Sequence, residues 1–387
     1  MKAESPIFRD EAVLDLNYLP QTLLHRGEET RLLRLLFSYL LTAPGEISQR
    51  VIIVGGVGVG KTALAQRFGL DVEGEAGRRG RRVRYLHINC REIRGSLFLA
   101  LRRAVRTLKP EFPERGYSVD DLLEALLTLL DEEGIHLLLC LDDVEPLIEA
   151  EPDALYLLTR VQEERLERPR RLSLIVIAKS LEAFRPLDRS TLSTLQRNVI
   201  SLHPYTQGQL LDILQSRARD AFQDKAITDE ALELISELAA EEGGDARYAI
   251  DLLWRAGKYA EAEGSRRVRP RHVREAATTL YRGLRAEELR SLSLHEKLLL
   301  IAIARCFRGG TKAYASTGEV EEAYRLVCEE WGQKPRGHTQ LWKYLKRLRG
   351  LEVVSISLEA ARGRTHRIAL RVPANALEGE VKRLLEG

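Results

Sequence analysis

A glycine-rich stretch near the N-terminus constrains the fold of this chain more than any other feature. Residues 51–62 read Val-Ile-Ile-Val-Gly-Gly-Val-Gly-Val-Gly-Lys-Thr, and apolar residues resume at helical spacing from Ala63. The pattern GxxxxGK[ST] between a β-branched run and a helix is typical of a phosphate-binding loop, and the alternative is a plain strand-to-helix turn. Glycines let successive N–H groups and a helix start point at one anion. The stretch therefore predicts a strand, a phosphate loop and a helix.

Each residue type in this loop has an expected task. Lys61 is expected to reach the β- and γ-phosphates of ATP, and the Thr62 hydroxyl is expected to ligate Mg²⁺. The residues expected to contact ATP or ADP are Gly55, Gly56, Val57, Gly58, Val59, Gly60, Lys61, Thr62 and Ala63.

Length and composition restrict the class of protein. A chain of 387 residues with 44% hydrophobic and 30% charged residues is expected to hold two or three globular domains. It has no apolar run near the roughly 20 residues that span a bilayer, and residues 1–10 carry no secretory signal. We therefore expect a cytoplasmic protein that does not contact membranes. Its four cysteines lack metal-binding spacing and are expected to be reduced.

Short apolar segments alternate with helical stretches through the first half of the chain. After the loop they lie at 83–89, 137–143, 174–178 and 199–201. This alternation predicts an α/β domain over residues 1–204, in which a parallel sheet carries helices on both faces.

The second half of the chain predicts two further domains. Residues 205–287 contain amphipathic helices at 206–222, 229–241, 245–263 and 270–286, which predict an all-helical domain. Residues 288–387 contain helices at 294–307, 317–331 and 338–349, followed by strands at 352–358 and 365–372. Three helices and a β-hairpin are typical of a winged helix.

Polar residues at the ends of two predicted strands fit the second half of a nucleotide site. Asp142 is expected to hold the metal, and Asp143 follows where many ATPases carry a Glu that polarises the attacking water. The alternative is an acidic pair that caps the next helix. Ser180 is expected beside the γ-phosphate. Arg247 opens a helix of the helical domain and either crosses to the nucleotide or lies on the surface.

The positive charge of the chain is local. The net charge is +3, whereas residues 334–371 carry ten Lys or Arg and two Glu, a net of +8. Leu341, Leu345 and Leu348 share one face of a helix there, so the opposite face either is solvated or binds DNA in the major groove, with the hairpin turn reaching the backbone or minor groove. The residues expected to contact DNA are Gln340, Lys343, Lys346, Arg347, Arg362 and Arg364.

A second basic face lies inside the predicted ATPase domain. Arg102, Arg106 and Lys109 share one stripe of the stretch Arg94–Lys109, next to an apolar stripe. The pattern is equally typical of a surface helix and of a DNA contact, so both interpretations stay open.

Taken in order, these motifs resemble the archaeal Orc/Cdc-type replication initiators of the AAA+ class. The motifs are Leu24-His25-Arg26, Gly55–Thr62, Asp142-Asp143, His203-Pro204-Tyr205-Thr206, Gly244-Asp245-Ala246-Arg247 and Leu294-His295-Glu296-Lys297. The resemblance implies that His25 and Arg26 lie near the adenine, although the pattern alone favours a helix cap. It also implies that Tyr205 contributes to the cofactor site, that Arg247 is the sensor-2 residue and that the stretch 94–109 touches DNA.

The same resemblance implies function and partners. The expected partners are double-stranded origin DNA, the replicative MCM helicase and a paralogous initiator, and ATP hydrolysis is expected to be slow with ADP retained. Three positions depart from the family: Asp143 replaces Glu, Ser180 stands where Asn is usual, and the expected Arg is displaced to Arg189 or absent. The rivals are a signalling ATPase whose winged helix packs inward, and a helicase motor or clamp loader with brisk turnover.

Overall fold

The protein divides into two compact units. The computed structural model describes residues 5–113, 115–161, 168–280, 289–351, 353–358 and 366–386. One unit is Leu19–Pro204, and the other combines Met1–Tyr18 with Tyr205–Gly387.

A five-stranded parallel sheet forms the centre of the Leu19–Pro204 unit. The strands lie in the order β2-β3-β4-β1-β5, and β3 and β4 are buried along their whole length. In β3, Leu139 packs into one apolar cluster and Leu138 into another, because alternate side chains of a strand point to opposite faces. The predicted α/β sheet is confirmed. The strands are β1 (Arg50–Gly55), β2 (Val83–Asn89), β3 (His136–Asp142), β4 (Leu172–Ala178) and β5 (Val199–Leu202).

Helices cover both faces of this sheet, as its two apolar clusters require. Several begin at a polar cap; α5, for example, begins with a reciprocal Ser118–Asp121 capping box. The helices of this unit are α1 (Gly27–Leu36), α2 (Tyr39–Thr42), α3 (Lys61–Arg78), α4 (Leu97–Leu108), α5 (Val119–Glu132), α6 (Glu145–Ala150), α7 (Ala154–Arg160) and α8 (Arg189–Leu195).

A small polar cluster is buried in the sheet core. Ser173 Oγ lies 2.6 Å from the Tyr39 hydroxyl and 2.9 Å from His136 Nε2. Burial lowers the pKa of His136 to about 3, and the positive charge of Arg171 acts in the same direction. His136 is therefore neutral at physiological pH, in keeping with its buried position.

The helical part of the other unit is built from α9 (Gln207–Ala221), α10 (Asp229–Glu241), α11 (Ala246–Ala262) and α12 (Pro270–Leu280). Residues 5–18 belong with it. The Gln223 N–H donates to Ile7 O at 2.9 Å, and the Phe8 and Phe222 ring centroids lie 5.0 Å apart. The sequence predicted that residues 1–204 form a single α/β domain. In the structure residues 5–18 lie outside that domain, because their apolar side chains fill the core of the helical domain.

The predicted winged helix follows in the same unit. Its elements are α13 (Leu294–Cys306), β6 (Tyr314–Ser316), α14 (Thr317–Glu330), α15 (His338–Gly350), β7 (Val354–Leu358), β8 (His366–Leu370) and α16 (Ala374–Glu386), and the strands lie in the order β6-β8-β7. The sequence did not predict β6 or α16. Buried Glu378 holds α16 in place, since its carboxylate accepts hydrogen bonds from Arg305 and Arg308. No helix in the described segments is long and apolar enough to cross a bilayer.

A buried polar seam joins the helical domain to the winged helix. We define it as Glu237, Arg274, Ser355 and Arg371. Arg274 is 1% exposed and donates to the carbonyl oxygens of Leu370 at 2.8 Å, Lys312 at 2.8 Å and Ala313 at 3.1 Å. Ser355 Oγ donates to Glu237 Oε1 at 3.0 Å, and Arg371 pairs with Glu241 at 3.5 Å and with Glu242 at 3.4 Å. These contacts hold the two domains together as one unit.

Candidate functional site

The glycine-rich loop lies between β1 and α3, as predicted. Gly58 and Gly60 have φ of +71° and +91°, a conformation that glycine adopts without steric cost. At Gly55 a Cβ atom would lie 2.6 Å from the Leu202 carbonyl oxygen of β5, so a larger residue would displace the loop. The chain then enters α3 at Lys61, and the orphan N–H groups of the helix start face the loop. This is the geometry that an anion needs.

Lys61 and Thr62 each contact another part of the candidate nucleotide site. The Lys61 ammonium donates to the carbonyl oxygens of Gly55 at 2.7 Å and Gly56 at 2.6 Å, so it lies across its own loop. The Thr62 hydroxyl donates to Asp142 Oδ2 at 2.7 Å. The loop and the end of β3 therefore meet at one edge of the sheet, as the sequence predicted for the two halves of the site.

Asp142 is buried and held as a carboxylate. Burial alone would raise its pKa, but hydrogen bonds from His87 and Thr62 outweigh burial, so the pKa of Asp142 is lowered. His87 Nε2 lies 3.2 Å from Asp142 Oδ2. A charged carboxylate beside a threonine hydroxyl offers the hard oxygen ligands that Mg²⁺ takes, with waters and phosphates completing the shell.

Asp143, the candidate for orienting water, is already engaged. It has φ of +50°, its N–H donates to Asp142 Oδ1 at 2.9 Å, and its Oδ2 lies 3.1 Å from Arg91 Nε. The sequence did not predict the Arg91 contact, and the role of Asp143 in orienting water stays a prediction.

Lys179, which follows β4, is hydrogen-bonded both to the phosphate loop and to the start of α6. The Gly55 N–H donates to Lys179 O at 3.3 Å, and the Lys179 N–H donates to Glu145 Oε1 at 2.7 Å. Ser180 is exposed and precedes a short 3₁₀ helix. Its position at the strand end agrees with the sequence prediction, whereas the anchoring role of Glu145 was not predicted.

Arg26 binds the backbone of the phosphate loop. Its guanidinium is buried and donates to Val59 O from Nη2 at 2.8 Å and from Nε at 3.2 Å, and to His203 O at 2.8 Å. It also pairs with Glu29 at 3.2 Å. His25 is exposed with φ of +59°. The two residues implied to lie near the adenine therefore differ: Arg26 positions the loop through Val59, and His25 faces outward.

The candidate residues of the helical domain lie at the start of α11. Asp245 caps this helix by accepting the Arg247 N–H at 2.8 Å, and the Arg247 side chain is exposed. Tyr205 is 7% exposed, and its N–H donates to Gly244 O at 3.3 Å. This hydrogen bond ties Tyr205 to the residue that precedes the Asp245 cap of α11.

The predicted faces of α15 are confirmed by burial. Leu341, Leu345 and Leu348 are buried, and the opposite face is exposed at Gln340, Lys343, Lys346 and Arg347. Arg347 differs from the others, because its guanidinium lies 3.3 Å from Glu296 and donates to Ser291 O at 3.3 Å. Arg362 and Arg364 lie outside the described residues.

The second basic stripe lies on α4. Arg106 and Lys109 are exposed, and Arg102 is half-buried with its guanidinium 5.7 Å from the Phe98 ring centroid. A surface cavity of about 490 Å³ borders this stripe, and its lining includes Arg102, Arg103 and Arg106. The basic side chains of this stripe are accessible to solvent. This is compatible both with an ordinary surface helix and with a DNA contact.

Among the described residues no group of three or more His, Cys, Asp or Glu side chains is placed to hold a metal ion. A structural zinc or calcium site is therefore not found in those segments. Oxygen ligands from one Thr and one Asp match the sparse protein coordination that Mg²⁺ has when substrate phosphates supply the rest.

Three residues near the site were missed from the sequence: His87, Arg91 and Glu145. His87 and Arg91 flank Asn89, which pairs with Asp142 in the sheet register. Their positions at the end of β2 would have indicated that they lie near Asp142, but only if β2 had been known to pair with β3.

Family models match two parts of the chain. Residues 211–278 match a model described as the Cdc6 AAA+ ATPase-type lid domain, and residues 287–379 match one described as the CDC6 C-terminal winged helix domain.

Known proteins resemble the chain over nearly its whole length. The ORC1-type DNA replication protein 2 of Sulfurisphaera tokodaii is 33% identical over 398 residues, covering 99% of this chain and 95% of that protein. The crystal structure of Cdc6p from Pyrobaculum aerophilum has a TM-score of 0.88 and 30% identity, covering 98% of this chain and 99% of that one. The Aeropyrum pernix ORC1 protein, solved in complex with DNA, has a TM-score of 0.64 and 30% identity over 98% of both chains.

Proposed function

Because the chain belongs to the Orc1/Cdc6 family of archaeal DNA replication proteins, we propose that it is an ATP-binding replication initiator. It recognises origin duplex DNA in the cytoplasm and helps to recruit the replicative MCM helicase. It acts there alone or with a paralogous initiator.

One observation carries the nucleotide part of this proposal, the 2.7 Å hydrogen bond from Thr62 to Asp142. It brings the phosphate loop and the buried carboxylate of β3 together, with Lys61 across the loop mouth. In this arrangement Lys61 would hold the phosphates, and Thr62 and Asp142 would hold Mg²⁺. The bound Mg²⁺ would neutralise phosphate charge.

Hydrolysis is the slow step of the proposed cycle. Asp143 has one methylene less than the usual Glu, so its carboxylate reaches less far toward an attacking water, and its Oδ2 is paired with Arg91. Ser180 at the end of β4 and Arg247 at the start of α11 are the proposed sensors of the γ-phosphate. Loss of that phosphate is then proposed to change the angle between the ATPase core (19–204) and the helical lid, and with it the position of the winged helix.

The DNA part of the proposal is supported by the exposed face of α15. Gln340, Lys343 and Lys346 are exposed opposite the buried leucines, which suits insertion of the helix into a major groove. Arg362 and Arg364 are proposed to reach the DNA backbone from the hairpin turn. Arg102, Arg106 and Lys109 supply a second contact from α4.

The nucleotide proposal is tested by calorimetric titration with ADP and Mg²⁺. Lys61→Ala should weaken binding at least about tenfold, since it removes a charged phosphate contact. Arg79→Ala removes an exposed Arg that lies beyond the other end of α3 and pairs with Glu75; it is the matched control and should bind like the wild type. Equal binding by Lys61→Ala would overturn the nucleotide assignment.

The DNA proposal is tested by footprinting on the host's own genomic DNA with ATP and with ADP. Protection of a few discrete intergenic sites is expected, and its strength should depend on the nucleotide. Failure to shift even random duplex would favour the signalling ATPase instead.

A further inference from the structure

The connection between α11 and α12 is rich in arginine and has no part in the sites described above. Residues 264–271 read Gly-Ser-Arg-Arg-Val-Arg-Pro-Arg, so four arginines and no acidic side chain give a net charge of +4. We call these residues the arginine segment. Arg266, Arg267 and Arg269 are exposed, and within the described part of the chain their side chains have no ion-pair or hydrogen-bond partner.

Other cations close to the arginine segment are neutralised by the protein itself. The pairs are Arg271 with Glu263 at 2.9 Å, Arg308 with Glu378 at 2.5 Å and Lys312 with Glu319 at 2.7 Å. Arg269, by contrast, directly precedes α12, where the helix dipole disfavours a positive charge. The three exposed arginines therefore do not stabilise the fold, and their charge is available to an anionic partner.

The backbone of the arginine segment is held in place by hydrogen bonds. The Val268 N–H donates to Ala226 O at 2.7 Å, and Val268 O accepts the Thr228 N–H at 3.1 Å. The Arg269 N–H donates to His272 Nδ1 at 2.9 Å. Because the backbone is already ordered, a partner that binds here loses less free energy to ordering the loop.

The spacing of the cations suits a chain of phosphates. Val268 is buried and forms a parallel bridge with Ile227, so Arg267 and Arg269 flank an extended residue and both point away from its side chain. Extended backbone rises about 3.3 Å per residue, which places their Cα atoms about 6.6 Å apart. One strand of duplex DNA carries a phosphate per about 3.4 Å of helix axis. The two guanidinium groups can therefore each bind a phosphate of the same strand, in the bidentate manner that guanidinium allows.

The arginine segment is attached to the winged helix at one end of its three-stranded sheet. The Arg271 N–H donates at 3.3 Å to the carbonyl oxygen of Gly310, which precedes β6. Tyr314, the first residue of β6, pairs with Ala369 near the end of β8 that lies away from the connection to β7. The five residues of β8 extend over about 17 Å, whereas a major groove is about 12 Å wide. The segment therefore cannot share one groove with the β7–β8 hairpin.

From this placement, and resting on the proposed DNA-binding function, we propose that the arginine segment binds the phosphate backbone of duplex DNA that flanks the stretch held by the winged helix. The segment and the winged helix belong to one compact unit, so both contacts are made by the same body. Flanking duplex has to bend toward the segment, and the counterions released by the new phosphate contacts offset the energy of that bend.

The salt dependence of duplex binding tests this proposal. Fluorescence anisotropy measures affinity for random-sequence duplexes of about 15 base pairs, which stay straight, and of about 60 base pairs, which can bend. The triple variant Arg266→Gln, Arg267→Gln, Arg269→Gln should reduce the log–log slope on the longer duplex by about 2 to 3, since each lost phosphate contact removes about 0.9. On the shorter duplex the reduction should stay below about 1. An unchanged slope on the longer duplex would overturn the proposal, as would an equal reduction on both.

The matched control makes the same change of charge at three exposed arginines that already pair with a glutamate. Its substitutions are Arg31→Gln, Arg185→Gln and Arg383→Gln. The control should keep the wild-type slope on both duplexes, because exposed cations with an acidic neighbour are already neutralised. An equal loss of slope in the control would overturn the proposal, since the total charge and not the arginine segment would then set the salt dependence.

The wild-type protein separates this proposal from the proposed function. If the wild type binds neither duplex, its DNA-binding function is refuted and the arginine segment loses its proposed role as well. If the wild type binds both duplexes and the triple variant keeps the wild-type slope, only the role of the segment is refuted. An acidic stretch of a partner protein would then be the alternative occupant.

Discussion

The buried guanidinium of Arg26 offers a direct test of how the phosphate loop is held. In Arg26→Met, the carbonyl oxygens of Val59 and His203 lose their donors, and Glu29 loses an ion pair. Leaving the buried Val59 carbonyl unpaired costs about 1–3 kcal/mol, and the part-buried His203 carbonyl adds less, so we expect a loss of about 2–4 kcal/mol of local stability. Because Val59 belongs to the loop, ADP affinity should fall as well.

Hydrogen exchange read by mass spectrometry suits this measurement, since all three tryptophans lie in the other unit and fluorescence would miss the change. Each 1.4 kcal/mol raises the exchange rate of a protected amide about tenfold, so peptides from β1 and β5 should exchange at least tenfold faster. Arg34→Met is the matched control. It removes a half-exposed Arg of α1 that pairs with Glu75 at 3.1 Å, and it should change exchange little. Lost ADP affinity with unchanged exchange would refute the reasoning, because Arg26 would then contact the nucleotide itself.

Three further measurements address other parts of the molecule. Arg274→Met leaves three carbonyl oxygens without their donor, so the unfolding free energy from tryptophan fluorescence in urea should fall by about 3–5 kcal/mol, and an unchanged midpoint would contradict this. The folded-state pKa of His136, about 3, lies below its unfolded value of 6.5. Stability of the sheet unit is therefore full above pH 6.5 and falls by up to about 1.4 kcal/mol per pH unit toward pH 3; His136→Phe should flatten this dependence in circular dichroism. Lys343→Gln and Lys346→Gln should each reduce the salt slope of duplex binding by about 0.9, whereas Arg347→Gln, whose guanidinium contacts Glu296, should reduce it less.

The features that follow from local pattern were predictable from the sequence. The apolar runs and the Gly-Lys-Thr motif sufficed to predict the sheet, the loop and the meeting of Thr62 with Asp142, because parallel strands place their carboxyl ends at one edge. The leucine spacing of α15 predicted which of its faces is buried. These predictions rest on periodicities of 2 and 3.6 residues, which are visible in one chain.

Features that depend on strand order or on distant partners were not predictable. Arg91 contacts Asp143 only because β2 lies beside β3, and a linear pattern does not contain that order. Residues 5–18 pack with the helical domain because their apolar side chains fit its core, a match between segments about 200 residues apart in sequence. The short β6 lacks enough residues to show a period.

The assignment of residues 5–18 to the helical and winged-helix unit has a topological consequence. The polypeptide leaves one unit for the other twice, between Tyr18 and Leu19 and between Pro204 and Tyr205. Residues 5–18 leave the ribosome about 200 residues before the helices whose core they fill. The apolar side chains of this segment therefore have no core to enter until the helical domain has been synthesised.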